Sequence, residues 1–357
     1  MNQAFLIRRL FGGATLCAML SACGGGGDTE PPPPPPEQPA AATEITASNM
    51  DTITSAALFS ANTAGYGANL GSIPLTTSAT SSTPLGIAVQ KLLPALATVT
   101  AGAVPTAARS TPPTLAMSPP PPPSTLPPID EQSCSGGGKT SISVIDINSN
   151  KVADPGEPFR FQAVACQEGD ITLQGSMDLT VVSLTQSNGS VTSAKLEVIY
   201  NFNTVIGGRN DYIGGSLSVD LLGAQGVTTT TMRGTPIHTL GVGDQWLALQ
   251  HDSYAATMTD LLSGASSLDF SSKFHFTGVG VTRPIAGSVV TRTTSPLVFD
   301  ANGNITSGAV RVTIDGKPAI MDVNVTNGVA SISLDTDGNG SIDTTHNVTI
   351  DSLKPLL

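Results

Sequence analysis

From residue 134 onward, apolar and polar positions alternate with a period of two. Ala194, Leu196, Val198, Tyr200 and Phe202 fall on one parity, and Lys195, Glu197, Ile199, Asn201 and Asn203 on the other. Leu268, Phe270, Phe274 and Phe276 share a parity, as do Val310, Val312 and Ile314. Successive side chains of a strand point to opposite faces, so this pattern predicts strands with one buried face. Long strands are expected near 171–184 and 191–204. Asn188-Gly189, Asn302-Gly303, Asp315-Gly316 and Asn327-Gly328 each lie between strand-like runs. These dipeptides suit tight hairpins, where both central residues take positive φ. No helical pattern interrupts the series, which excludes parallel βαβ units. The expectation for 134–357 is an all-β domain: a long antiparallel meander curled into a barrel-like or sandwich form. A Greek-key sandwich is the runner-up, and a bilayer-embedded barrel is disfavoured because few aromatics are available for interface girdles.

The chain before residue 134 reads differently. Of its 27 prolines, 20 precede residue 129, including runs at 31–36 and 119–123 that act as stiff extended spacers. Between them lies an Ala/Ser/Thr-rich region, 44–110, with one or two short helical signals. In the first, Ser48 and Asp51 form a capping pair ahead of Met50, Ile53, Ala57 and Ala61. The second, Leu85, Val89, Leu92, Leu93 and Leu96, is interrupted by Pro94. Helices this short are marginal alone; they either dock on the following domain or stay unfolded. A Pro-rich linker, 111–133, leads into the β domain.

Arg8 and Arg9 precede an apolar stretch that ends in Leu20-Ser21-Ala22-Cys23. The stretch is too short to span a bilayer and has the form of a secretory signal. Its end resembles the lipobox of bacterial lipoproteins. The resemblance implies a signal peptide over 1–22, cleavage before Cys23, acylation of that cysteine, and a Gly/Pro-rich tether over 23–43. Two or three acyl chains contribute about 0.8 kcal/mol per buried methylene, enough for stable anchoring. Gly24 after the cysteine implies retention at the outer membrane. The β domain is similar to poorly characterised β-rich envelope lipoproteins of proteobacteria, a resemblance that brings no known activity. Cys17 leaves with the signal, so Cys134 and Cys166 remain and are expected to pair in an oxidising compartment.

Composition narrows the function. The net charge is −11, with 12% charged and 4% aromatic residues. That balance excludes a nucleic-acid partner, which needs clustered cations and stacking platforms.

Two loops carry oxygen ligands at alternating positions, the spacing with which a tight turn converges on a hard cation. Asp335, Asp337, Asn339, Ser341 and Asp343, with Gly340 at the sixth position and Ile342 at the eighth, resemble a shortened calcium loop; His346 stands where the closing Glu belongs. Asp146, Asn148, Asn150, Asp154 and Glu157 form a second, weaker candidate. It has the terminal Glu, but Lys151 replaces the glycine. Calcium is the one cofactor expected.

No enzymatic constellation is expected. Ser135-Gly136-Gly137-Gly138-Lys139-Thr140 looks like the end of a phosphate loop but lacks the first glycine and the helix that should follow. The four histidines, His238, His251, His275 and His346, are isolated. In His251-Asp252-Ser253, neighbours on a strand point apart, so His251 is read as a sheet-surface residue and Trp246 as core. The sequence therefore reads as an outer-membrane-anchored lipoprotein. Its β domain would serve adhesion, envelope structure or capture of a protein, glycan or lipid partner, and the alternative is a periplasmic carrier of lipid or a small apolar ligand.

Overall fold

The computed structural model describes residues 43–68, 124–125, 127–128, 130–147, 156–169, 171–187, 190–206, 209–224, 227–242, 245–260, 265–279, 285–300 and 304–353. The chain divides into two compact units, Met1–Pro39 and Ala40–Leu357, and every described residue belongs to the second. The signal, Cys23, the proline runs at 31–36 and 119–123, and the second helical signal lie outside the described residues.

Among the described residues the unit is all-β apart from two helices, α1 (Met50–Ala68) and the single turn α2 (Ile350–Leu353). Its strands are β1 (Ser124–Thr125), β2 (Asp130–Ser133), β3 (Lys139–Asp146), β4 (Phe159–Glu168), β5 (Ile171–Ser187), β6 (Ser190–Ile206), β7 (Arg209–Ala224) and β8 (Val227–Gly234). They continue with β9 (Ile237–Val242), β10 (Gln245–Asp260), β11 (Ser266–Val279), β12 (Ser288–Phe299), β13 (Ile305–Ile314), β14 (Ile320–Thr326), β15 (Val329–Asp335) and β16 (Thr344–Thr349). All belong to one antiparallel sheet in which, from β3 on, sequential strands are neighbours except at β8 and β9, while β1 and β2 both pair with β3. The expected meander is therefore present, and the Greek-key order is not.

Strands β8 and β9 are two halves of one broken rung. Strand β7 pairs with β8 through Leu217–Ala224 and with β9 through Asn210–Gly214, and β10 meets the same two halves from the other side. The break falls at Thr235-Pro236, where proline has no N–H to give a ladder. The neighbouring strands are irregular at the same level. Gly215 on β7 has φ 121°, and a Cβ there would lie 2.5 Å from the Thr235 carbonyl oxygen; β10 carries a bulge between His251 and Ser253. Further bulges interrupt β4, β11 and β12. Bulges and glycine kinks are the devices that bend a sheet.

The inward face is the parity anticipated from sequence. Ala194, Leu196, Val198, Tyr200 and Phe202 are all buried, as are Leu268, Phe270, Phe274, Phe276, Val310, Val312 and Ile314. The outward face is polar, with charges that match across strands. Arg160 sits opposite Asp178 and Arg311 opposite Asp322, each pair joined by two hydrogen bonds of 2.6–2.8 Å. The turn at Asn327-Gly328 forms as expected, with Asn327 and Gly328 at φ 52° and 75°; at Asp315-Gly316 only Gly316 has positive φ (75°), and residues 315–319 join β13 to β14 in a longer loop closed by the Lys317 amide on the Ile314 carbonyl at 2.9 Å. Asn188-Gly189 and Asn302-Gly303 lie outside the described residues.

Helix α1 lies against the inward face. Ile45, Met50, Ile53, Ala56, Ala57, Leu58 and Ala61 are buried, and so are Thr54, Ser55 and Ser60. The helix contacts β8, β10, β13 and α2, Phe59 stacks on His238 of β9 at 4.9 Å, and Asp51 pairs with His346 of β16 at 3.5 Å. From β8 to β16 the sheet runs seven strand steps, about 34 Å if flat at roughly 4.8 Å each. Helix α1, 19 residues and so about 28 Å long, touches strands at both ends of this run. Of the two fates left open for this segment, docking is the one observed. The expected Ser48–Asp51 cap does not form. Asn49 takes the role instead: its Oδ1 accepts from the Thr46 amide at 2.9 Å and its Nδ2 donates to the Glu44 carbonyl at 2.8 Å.

Candidate functional site

The loop joining β15 to β16 is built around Asp335. Its Oδ2 accepts the Gly340 amide at 2.7 Å, and its Oδ1 accepts the amides of Gly338 and Asn339 at 2.8 and 3.2 Å. Gly338 and Gly340 both have positive φ (73° and 89°), which lets the backbone fold its N–H groups onto one carboxylate. Asp337 accepts from Asn339, Asn339 Oδ1 from the Ser341 amide, and Asp343 from both the amide and the hydroxyl of Thr336. Carboxylate oxygens of Asp335, Asp337 and Asp343 lie within 4.8 Å of one another.

Burial acts to raise the Asp335 pKa, but the amides of Gly340, Gly338 and Asn339 outweigh it and hold the group below the usual carboxylate range. The Thr336 hydroxyl and amide do the same for Asp343. Both groups are therefore ionised at neutral pH. Each carboxylate offers about four lone-pair sites, so acceptor capacity is left after these bonds. The arrangement gathers three negative charges within reach of one hard cation. Two features depart from a sensor-type loop: Ile342 is exposed, and His346 pairs with Asp51 of α1 instead of closing the loop.

Of the second set, Asp146 and Glu157 are buried at the neck of their loop, where Glu157 Oε1 accepts the Ile147 amide at 2.8 Å. Asn148, Asn150 and Asp154 lie outside the described residues.

Cys134 and Cys166 form a disulfide, Cα to Cα 5.4 Å, tying the β2–β3 turn to β4. The glycine run is the structural part of this corner. Gly136 donates to the Gln167 carbonyl and the Gln167 amide returns to Gly137, each at 2.9 Å. A Cβ at Gly138 would lie 2.0 Å from the Ala165 carbonyl oxygen, beside the β4 bulge. The phosphate-loop resemblance has this local cause, namely close backbone approach.

Two expectations are corrected. Trp246, expected in the core, is 37% exposed at the start of β10. His251, expected on the sheet surface, is buried. The bulge after it reverses the local alternation, so His251 and Tyr254 both face inward while Asp252 and Ser253 are exposed. His251 Nδ1 is 2.7 Å from the Ser272 hydroxyl. Burial, and then the neighbouring His238, bring its pKa down to about 3. Tyr254, Ser272 and Thr291 are in register on β10, β11 and β12, giving a polar row inside the apolar face. Sequence parity missed this row because one extra residue in β10 shifts the phase.

On the outside, Asp252 joins His275 (3.0 Å) and Ser288 (3.5 Å), while Lys273 pairs with Asp315 at 2.6 Å. Asp252 lies between the histidine and the serine, so the imidazole is not set to take the serine proton and the geometry is not that of a nucleophilic triad. Among the described residues no helix is long and apolar enough to cross a membrane.

Comparison with known proteins returned no matching family, no matching curated protein and no matching solved structure.

Proposed function

We propose that the protein is an outer-membrane lipoprotein that presents its curled β unit in water as an interaction module, anchored through lipid on Cys23. The polarity of the sheet carries this reading. Its outward face bears charged cross-strand pairs and its inward face is apolar, the reverse of what a bilayer-spanning barrel presents to lipid. Such a unit reaches a membrane through something outside the sheet, and the lipobox at 20–23 supplies it. Helix α1 lies along the inward face, where a carried apolar molecule would sit; that favours the interaction module over the carrier. Calcium at Asp335, Asp337 and Asp343, with Asn339 and Ser341 completing the set, braces the β15–β16 loop in this reading, and the partner is a protein, glycan or lipid met by the outer surface.

The test is fractionation of cells expressing the full chain or Cys23→Ser, with metabolic labelling by a fatty-acid analogue. Label on the wild type and a shift of the variant to the soluble fraction are expected. Equal membrane association of the two, or absence of label, overturns the anchor.

A further inference from the structure

Helix α1 is held unlike any strand of the sheet. Its amino-acid content is poor for an isolated helix: Thr52, Thr54, Ser55 and Ser60 stand within its first eleven residues. It therefore gains its stability from docking. Much of the docked surface is small: Ala56, Ala57 and Ala61 bury little area each, leaving Ile45, Met50, Ile53 and Leu58 as the larger apolar anchors.

The interface also leaves polar atoms unmatched. On the helix, Ser60 Oγ and Asp51 Oδ1 are buried without a hydrogen-bond partner; elsewhere on the inward face of the sheet, so are His251 Nε2, Tyr254 Oη and Thr291 Oγ1. Each such atom costs about 1–3 kcal/mol relative to a satisfied one. Native interiors rarely keep several together, and water entering on opening would satisfy the two on the helix.

Among the described side chains, the remaining polar fastenings lie in the N-terminal half of the segment. Thr43 pairs with Ala286, Glu44 with Lys317 and Asp51 with His346, while Ser55 donates to the Leu353 carbonyl. Beyond the helix, 55 residues separate Ala68 from Ser124, about 180 Å of chain when extended. No covalent constraint keeps α1 in place.

We propose that α1 is a releasable strap: it unfolds and leaves the sheet while the strands stay folded, uncovering the inward face of β8, β10 and β13 that it contacts.

The test is native-state hydrogen exchange on the full chain, read separately for 50–61 and for β5–β7, with and without the Cys23→Ser change. Amides of α1 are expected to exchange at least 100-fold faster than those of β5–β7, in both forms. Ser60→Ala, which removes one unmatched hydroxyl, is expected to slow α1 exchange fivefold or more and leave β5–β7 unchanged. Ile53→Asp is expected to bring α1 to the rate of an unfolded peptide while β5–β7 stay protected. The proposal is overturned if α1 and the strands exchange together in the wild type, if Ser60→Ala leaves α1 exchange unaltered, or if Ile53→Asp strips protection from β5–β7. A failure of the anchor alone appears only in fractionation and leaves all three results intact.

Discussion

Two regions of the sheet bind a neighbouring piece of chain, and they do so by opposite means. At the β2–β4 corner a disulfide, reciprocal backbone hydrogen bonds and a glycine with no room for a side chain fix the turn onto the strand beside it. In the half running from β8 to β16, α1 is held, among the described residues, by apolar contact, the Phe59–His238 stack, the Asp51–His346 pair and a few side-chain bonds, and it buries unmatched polar atoms. Both regions bury apolar side chains well. The difference lies in what remains when packing loosens: the corner stays joined, whereas the helix separates. Covalent closure acts on the unfolded chain as well as the folded one, so the corner's contribution persists under conditions that remove the helix.

The sharpest way to break this contrast is to cut the staple. Replacing Cys134 and Cys166 together by serine releases a loop closed at a sequence separation of 32. A loss of about 4 kcal/mol follows from loop-closure entropy, read as a lowered denaturant midpoint. If that loss is global while α1 exchange changes only in parallel, the corner supports the whole sheet. A loss under about 1 kcal/mol would mean that backbone hydrogen bonds, not the bond between sulfurs, hold the corner.

Acid probes the other region. The buried His251 imidazole is neutral in the folded protein, with its pKa drawn down to about 3, whereas the unfolded chain takes up its proton near pH 6.5. Stability from this group is complete above pH 6.5 and falls as the pH drops toward 3, because the unfolded state binds more protons throughout that interval. The slope reaches about 1.4 kcal/mol per pH unit. Stability curves of wild type and His251→Gln, compared from pH 7 to 4, should differ in slope by that amount. Equal slopes would show that water already reaches the imidazole.

Calcium has a smaller expected effect, again on the α1 side, since the β15–β16 loop leads into the strand whose His346 meets Asp51. Binding to the folded form alone adds about 2.7 kcal/mol at a concentration 100-fold above the dissociation constant. Thermal unfolding with calcium and with chelator should therefore separate by several degrees for the wild type. The separation should vanish for Asp335→Asn/Asp343→Asn. Coincident curves in the wild type would leave the loop as a hydrogen-bonded turn.

How much of this could be read from the sequence follows from what kind of contact each part needs. Strand parity in β6, β11 and β13 was legible because burial of one face is a local, period-two property. The turn at Asn327-Gly328 was legible because positive φ selects residue types. Pairing of Cys134 with Cys166 followed from compartment and count. The position of α1 was not legible: docking is decided by a wall assembled from strands more than 150 residues away. The inward turn of His251 was hidden by a bulge, an insertion that leaves no mark in composition. Oxygen spacing in the 335–343 loop was visible, but the backbone amides already engaging Asp335 were not, because they depend on the φ of Gly338 and Gly340.

The smallest effect offers the most controlled comparison, because the molecule carries one device twice. Arg160–Asp178 joins β4, the strand that carries the staple, to β5, and Arg311–Asp322 joins β13, a strand that α1 contacts from the other face, to β14. Both are directly opposed across antiparallel strands, both are bidentate, and their exposures are close, 36% and 24% in one pair against 38% and 29% in the other. Solvent screening at such exposure limits each to about 0.5–1 kcal/mol of coupling. Double-mutant cycles with alanine, by denaturant unfolding, should return equal values if the sheet unfolds as one unit. Hydrogen exchange gives the discriminating reading: loss of the β13–β14 pair should loosen α1 together with its strands, whereas loss of the β4–β5 pair should leave α1 unchanged. An identical response of α1 to both would mean that the helix and the corner belong to one cooperative body, and the contrast between a stapled and a strapped region would fail.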